Sequence, residues 1–329
     1  MKQITWVLFP IFLLLCSCTT NPAEHVSSET NTKDFALRKG RIHPSFSSDS
    51  ALAFIQKQCD FGFRLPNTAE HDACGNYLVQ KLNSYGCSTT VQSFTAEAFD
   101  GTKLKGMNII GQFCPEIEKR VVLFAHWDTR PVCDNDVESN WHKPVMGAND
   151  GASGVGVLLE VVRQLQMGGD SIGVDIVFLD LEDYGKPSFD QQEKKDTWCL
   201  GSQYLASHPY YKCRPRMGIL LDMVGAKNPF FGFDQVSLYF AESYLQKIWS
   251  IAKSLGYASA FVPKESGTIM DDHYYINTVA QIPTVDIIDF NHDRGFPMTW
   301  HTVNDTPENI HKETLQMVGE VVLSFVRGE

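Results

Sequence analysis

Six short runs of this 329-residue chain are too uniformly apolar to lie on a half-exposed surface, and that restricts the fold more than any other feature. They are residues 107–113 (MNIIGQF), 120–126 (RVVLFAH), 174–181 (VDIVFLDL), 217–223 (MGILLDM), 236–240 and 283–288. A strand with one wet face alternates polar and apolar residues, whereas near-continuous apolar character belongs to strands covered on both faces. Helical patterns separate them, at about 68–85 with Gly86 as a C-terminal cap, 152–166, 201–206, 241–255 and 312–327. Such alternation predicts a single α/β domain over residues 41–329, with a central mixed, mostly parallel β-sheet and helices on both sides. Ligands are then expected at the carboxyl ends of the central strands.

The residues at those ends are acids and histidines. One strand finishes in His126-Trp127-Asp128, another in Glu182-Asp183, a third in Asp222, and the run after Pro283 leads through a loop to Trp300-His301. The loop VMGAND sets Asp150 directly before the glycine-rich helix start GASGVG. Each has an ordinary reading: an Asp before a helix is a cap, and a histidine at a strand end is a satisfied surface group. The glycines lack the Lys-Ser/Thr of a phosphate loop, so they read as permitting close helix-sheet packing. The pair Glu182-Asp183 resists the ordinary reading, because adjacent carboxylates after a buried strand repel unless a cation or a shared proton stabilises them. An edge that collects Asp, Glu and His offers zinc the oxygens and imidazole it accepts.

Residues 1–18 stand apart. MKQITWVLFPIFLLLCSC has a charged start, an apolar middle and small residues at its end, the form of an export signal and short for a membrane span. Leu15-Cys16-Ser17-Cys18 resembles a bacterial lipobox, which makes Cys18 the lipidated first residue of a mature envelope protein that faces the periplasm or rides on the outer membrane. An ordinary cleaved leader and an uncleaved anchor are the alternatives, and both place the chain outside the cytoplasm. Residues 19–40 read as a flexible tether. Beyond the leader seven cysteines remain, an odd number without a CxxC, and they read mostly as small buried hydrophobes. With 39 acidic against 28 basic residues and a formal charge of −11, the chain repels phosphates, so nucleic acid is not an expected partner.

The ordered segments HWD, GANDGASG, FLDLED, LLDMVGA, DDHYY and PMTWHTVNDTPENI resemble the zinc-aminopeptidase-like superfamily, and within it the glutaminyl cyclases of the animal type, from about residue 50 to the C-terminus. The resemblance implies a three-layer, zinc-exopeptidase-like architecture and a monomer that converts N-terminal glutamine of peptides and proteins to pyroglutamate. It also implies one zinc ion per chain held by Asp150, Asp183 and His301, with Glu182 as general base and acid. Asp222 and Asp271 become an acidic pair linked to Glu182, with Asp272 the neighbour competing for the place of Asp271. Trp198, Phe296 and Trp300 line the substrate pocket. One departure is visible: Asp183 stands where the family has a second Glu, so the metal must sit nearer the strand end or the loop must advance. Two rivals stay open. A two-zinc aminopeptidase would use His126, Asp222 and a bridging Asp150 for its second metal, and a noncatalytic peptide-binding lipoprotein would use the groove alone.

Overall fold

In the computed structural model, which describes residues 46–192 and 197–329, the apolar runs become strands of one sheet. The leader expected over residues 1–18, Cys18 and the tether over 19–40 lie outside the described residues. In chain order the elements are α1 (Ser48–Cys59), α2 (Ala69–Ser84), β1 (Ser88–Glu97), β2 (Lys103–Phe113), β3 (Arg120–His126), α3 (Ala152–Gly168), β4 (Gly173–Leu179), α4 (Leu200–Ser207), β5 (Gly218–Asp222), β6 (Phe231–Asp234), α5 (Gln235–Ser254), β7 (Phe261–Gly267), α6 (Asp272–Thr278), β8 (Thr284–Ile288) and α7 (Lys312–Arg327). The main sheet runs β1-β2-β4-β3-β5-β8. Its β4, β3, β5 and β8 are mutually parallel, and β2 and β1 are added antiparallel at one edge.

Period-two alternation sorts the side chains of the central strands into two cores. Val121, Leu123 and Ala125 of β3 join Ile176 and Phe178 of β4 and Leu221 of β5 against α1, α2, α3, α5 and α7. Val122, Phe124, Val177 and Leu220 point the other way, against Leu205 of α4 and Ile276 of α6. Both faces are therefore dry, and each fully buried Leu, Val or Phe contributes roughly 1.5–3 kcal/mol of transfer free energy. This is why the strands read as continuous apolar runs.

The expected strand at 236–240 is instead the first part of α5, followed by a non-helical residue, Ala241 (φ −138°, ψ 27°). VSLYF has strand-like composition, but Asp234 decides the local structure. Its Oδ1 accepts hydrogen bonds from the backbone N–H groups of Val236 and Ser237, at 2.9 and 3.0 Å, and starts a helix there. Elements α1, β1, β6, β7 and α6 were not anticipated. Strands β1 and β7 carry many exposed polar residues, β6 has only four residues and α6 only seven.

The glycines after Asp150 do what their packing role requires. A Cβ on Gly154 would stand 2.3 Å from the carbonyl oxygen of Leu221 and 2.9 Å from Ala125 Cβ, so α3 lies directly on β5 and β3. The same helix meets α1 through Gly156, whose added Cβ would lie 2.8 Å from Ala51 O. Gly154→Ala should therefore destabilise the fold by about 1–3 kcal/mol, since backbone must shift to admit one methyl. Urea unfolding followed by circular dichroism measures this, and a variant as stable as the parent would show that α3 does not sit so close.

Candidate active site

The segment after β4, the carboxyl ends of β5 and β8 and the loop after β8 converge on one pocket of about 210 Å³. Asp150, Glu182, Asp183, Trp198, Asp222, Asp271, Phe296, Trp300 and His301 all line it, so every residue proposed for the site within the described chain is brought together. Cys199, Met223, Ile269, Met270, Tyr275 and Ile288 complete the wall. Asp272 does not reach the pocket. It is buried behind it at the first position of α6.

Asp150 is not a helix cap. The cap position of α3 is Gly151, at φ +104°, and no side chain caps that helix. Asp305 instead holds the Asp150 backbone, accepting from Asn149 N at 2.7 Å and Asp150 N at 3.0 Å. This frees the Asp150 carboxylate to face two histidines. Its Oδ2 lies 3.5 Å from His301 Nε2, and its Oδ1 lies 3.0 Å from His126 Nε2.

Asp183, Asp150 and His301 have the separation a zinc ion needs. Ligands on one tetrahedral zinc, each about 2.0–2.1 Å from it, stand roughly 3.3–3.5 Å apart. His301 Nε2 is 3.3 Å from Asp183 Oδ1 and 3.5 Å from Asp150 Oδ2, and all three ligand atoms fall within 4.8 Å of one another. Asp183 Oδ2 is buried without a hydrogen-bond partner. The donor set and the spacing fit zinc. The loop that carries Asp183 is held by Asp128, which accepts from the backbone N–H groups of Glu182 and Asp183, at 3.1 and 3.2 Å. Arg130 Nη1 donates to Asp183 O at 3.0 Å.

The residues that orient the proposed ligands escaped the sequence reading. Asp134 Oδ1 lies 3.1 Å from His301 Nδ1, which fixes the ring so that Nε2 faces the carboxylates. Fully buried Arg130 grips Asp134 through Nε and Nη2, each at 2.7 Å, and its guanidinium carbon stands 4.4 Å from the ring of Trp198. Burial opposes the charged form of Asp134, but the bonds from Arg130 and His301 win and hold it far below the usual carboxylate range. The available signal was the acid excess itself, since so many inward carboxylates require buried cations and Arg130 stands two residues after the HWD segment.

Glu182 and Asp183 both line the pocket but meet different groups. The Glu182 side chain keeps 14% exposure and lies with Cys199 and Asp271, whereas Asp183, at 2%, lies against Arg130 and His301. Burial raises Glu182 well above the ordinary Glu value, and the charges of Asp183 and Asp271 add to this against the opposing His126. Asp271 caps α6 with one oxygen, leaving Oδ2 buried and unpartnered. Burial and the nearby Asp222 push it up to about 7. Asp222 is also raised, chiefly by burial, and its Oδ1 lies 3.2 Å from His126 Nε2. A raised Asp222 beside a raised Asp271 is a pair that holds fewer than two negative charges near neutrality.

Aromatic rings enclose the rest. Trp300 stacks on His301 with ring centres 3.8 Å apart, Phe296 packs on Trp300 at 4.4 Å, and Trp198 lies parallel to the His301 ring at 6.0 Å. A Cβ on Gly185 would overlap the Trp198 ring, at 1.9 Å, so only glycine allows the indole to lie there. Leu181, Cys199, Met223 and His301 all adopt positive φ (57°, 56°, 47° and 54°). Non-glycine residues in this region store strain, and four of them in or beside one pocket is the pattern of a functional site.

An α/β sheet that gathers two carboxylates and a histidine at zinc-ligand spacing is the architecture of the zinc exopeptidases. The chain belongs to peptidase family M28, whose model matches residues 108–326. A solved structure of Bacteroides thetaiotaomicron glutaminyl cyclase bound to N-acetylhistamine is 49% identical, covering 87% of this chain and 99% of that one with a TM-score of 0.85. A Zn-dependent exopeptidase from Parabacteroides distasonis is 45% identical over 87% of this chain and 100% of that one, again with a TM-score of 0.85. The glutaminyl-peptide cyclotransferase of Drosophila melanogaster is 26% identical over 80% of this chain and 76% of its own length.

Removing the carboxylate that orients His301 should weaken the metal site before it harms the fold. Asp134→Ala is expected to lower zinc affinity about 10–100-fold in chelator competition. Unchanged affinity would mean that His301 is not a ligand held through Nδ1.

Proposed function

We infer that this protein is a zinc-dependent glutaminyl-peptide cyclotransferase, which closes the N-terminal glutamine of peptides and proteins to pyroglutamate and releases ammonia. The observation that carries the reading is the division at Glu182-Asp183: Asp183 stands with Asp150 and His301 at zinc-ligand spacing, while Glu182 lies outside that set, beside Cys199 and Asp271 in the same aromatic-walled pocket. Resemblance to glutaminyl cyclases over most of the chain supports it.

In this reading one zinc is held by Asp150, Asp183 and His301. When bound, it polarises the side-chain amide carbonyl of the substrate glutamine as a Lewis acid. Trp198, Phe296 and Trp300 wall in the glutamine and set its α-amine near its own amide carbon, so attack is intramolecular and orientation does much of the work. The amine nitrogen bonds to that carbon as the bond to the side-chain nitrogen breaks. Glu182 accepts a proton from the amine and returns it to the departing nitrogen, which leaves as ammonia. Asp222 and Asp271 share protons behind Glu182, and the negative charge of Asp271 strengthens the affinity of Glu182 for the proton it takes. His126 remains a hydrogen-bonding residue, with Nε2 forked between Asp150 and Asp222 at 3.0 and 3.2 Å. The same residues would make the second site of a two-zinc aminopeptidase, and that is the reading to exclude.

Zinc-loaded protein should shorten a Gln-initiated peptide by the mass of one ammonia and leave an Ala-initiated peptide intact, as read by mass spectrometry. Release of free Gln or Ala would overturn the cyclase reading. Glu182→Gln should abolish turnover with zinc retained. Because Glu182 must be unprotonated to accept the proton and its affinity for protons is raised, activity should fall away with acid well above pH 4.5, the ordinary Glu value.

Residues 1–18 serve in this proposal as the export signal and Cys18 as the lipidated residue, so the enzyme works in the cell envelope on exported chains whose processing exposes Gln. Cys18→Ala should abolish incorporation of labelled palmitate, and persistent labelling would refute the anchor.

A further inference from the structure

The side chain that touches the proposed base is a cysteine the mechanism has not used. Cys199 is 1% exposed and lines the pocket. Its Sγ donates to Glu182 Oε1 at 3.2 Å, and its backbone N–H donates to Glu182 O at 2.8 Å. The next N–H, of Leu200, donates to Leu181 O at 2.9 Å, so the two segments are tied by backbone as well as side chain. Among the described residues no other side chain donates a hydrogen bond to the Glu182 carboxylate. His126 Nδ1 stands 4.0 Å from Oε2, beyond hydrogen-bond reach.

The position makes this contact specific. Cys199 occupies the cap position of α4, where Ser, Asp or Asn would satisfy the free N–H groups of the first turn. Its side chain makes no such bond and turns to Glu182 instead. It also adopts φ 56°, a conformation that a cysteine holds only when its surroundings enforce it. A capping bond and an unstrained backbone are both given up at the residue whose side chain donates to the base. Burial, followed by the neighbouring acids, raises the thiol well above its ordinary value, so it stays protonated and acts as a donor.

We propose that Cys199 is a positioning residue for glutamine cyclisation: its S–H holds Oε1 of Glu182 and thereby fixes the carboxylate that takes the proton of the substrate amine. This rests on the cyclase reading above. A thiol suits the task because it is a weak donor. It orients the carboxylate without withdrawing much of the basicity that proton acceptance needs, and a base displaced by a fraction of an ångström loses rate without losing substrate affinity.

The test uses the zinc-loaded full chain. Cys199→Ala should lower kcat for a Gln-initiated peptide by about tenfold or more with KM within about twofold. Cys199→Ser, which keeps a donor, should regain most of that loss. Independently of activity, the S–H stretching band in the infrared should contain a hydrogen-bonded component that disappears in Glu182→Ala. The proposal is overturned by any of four results: kcat of the Ala variant within about twofold of the parent, a rise in KM with kcat kept, equal losses for Ala and Ser, or an S–H band that ignores Glu182→Ala. Should the Ala variant fail to fold, the Ser variant and the infrared band decide. If the unaltered chain does not cyclise glutamine, the cyclase reading fails, while the band still tests the contact between thiol and carboxylate.

Discussion

Mutual repulsion among buried carboxylates is the constraint around which this structure is arranged. Asp150, Asp183, Asp222 and Asp271 each have less than a tenth of their surface exposed, and all share the pocket with Glu182. Several negative charges held so close in a poorly hydrated site cannot persist without compensation. Three kinds are visible. Arg130 balances Asp134 and Asp183 from within the protein. Backbone N–H groups are aimed at Asp128 and Asp305, which are themselves carboxylates used to set the loops bearing Glu182-Asp183 and Asp150. The third is a raised proton affinity at Glu182 and Asp271, caused first by their burial. Asp150, Asp183 and His301 complete the account, set at the spacing and with the donor chemistry that zinc takes.

The sheet supplies the rigidity that makes this possible. Its parallel strands end at the same edge, and their dry packing on both faces leaves those ends little freedom. Gly154 lets α3 approach β5 closely enough for Asp150 to meet residues from β3, β4 and the loop after β8. The strained backbone at Leu181, Met223 and His301 then aims side chains that a relaxed chain would direct elsewhere. Stability is given up locally where geometry is needed, and the double-sided core offsets the loss.

Much of this was legible from residue order alone. The buried strands announced themselves because their faces are both covered, and the acids were found because a strand end places its next residue at a predictable edge. Asp271 could be preferred over Asp272 only by resemblance, and the structure shows the physical difference: Asp271 lines the pocket while Asp272 is buried in α6. Three things were hidden. The helix at 235–254 begins with strand-like residues whose fate depends on a single cap, Asp234. The loop carrying Arg130 and Asp134 has no periodicity, and its meaning lies in contacts with His301, 167 residues beyond Asp134. Cys199 looked like one more small hydrophobe, because a thiol's hydrogen bond to Glu182 depends on how a left-handed residue turns its side chain.

The same scaffold in its peptidase relatives leaves the identity of the reaction to a few details of the pocket, and metal number is the sharpest of these. Diffraction recorded on either side of the zinc absorption edge locates the metal directly. The account predicts one anomalous peak per chain, about 2.0–2.2 Å from Asp150, Asp183 and His301, with His126 and Asp222 joined only by a hydrogen bond. A second peak of equal occupancy between His126, Asp150 and Asp222 would contradict it, as would a single peak that His301 does not touch.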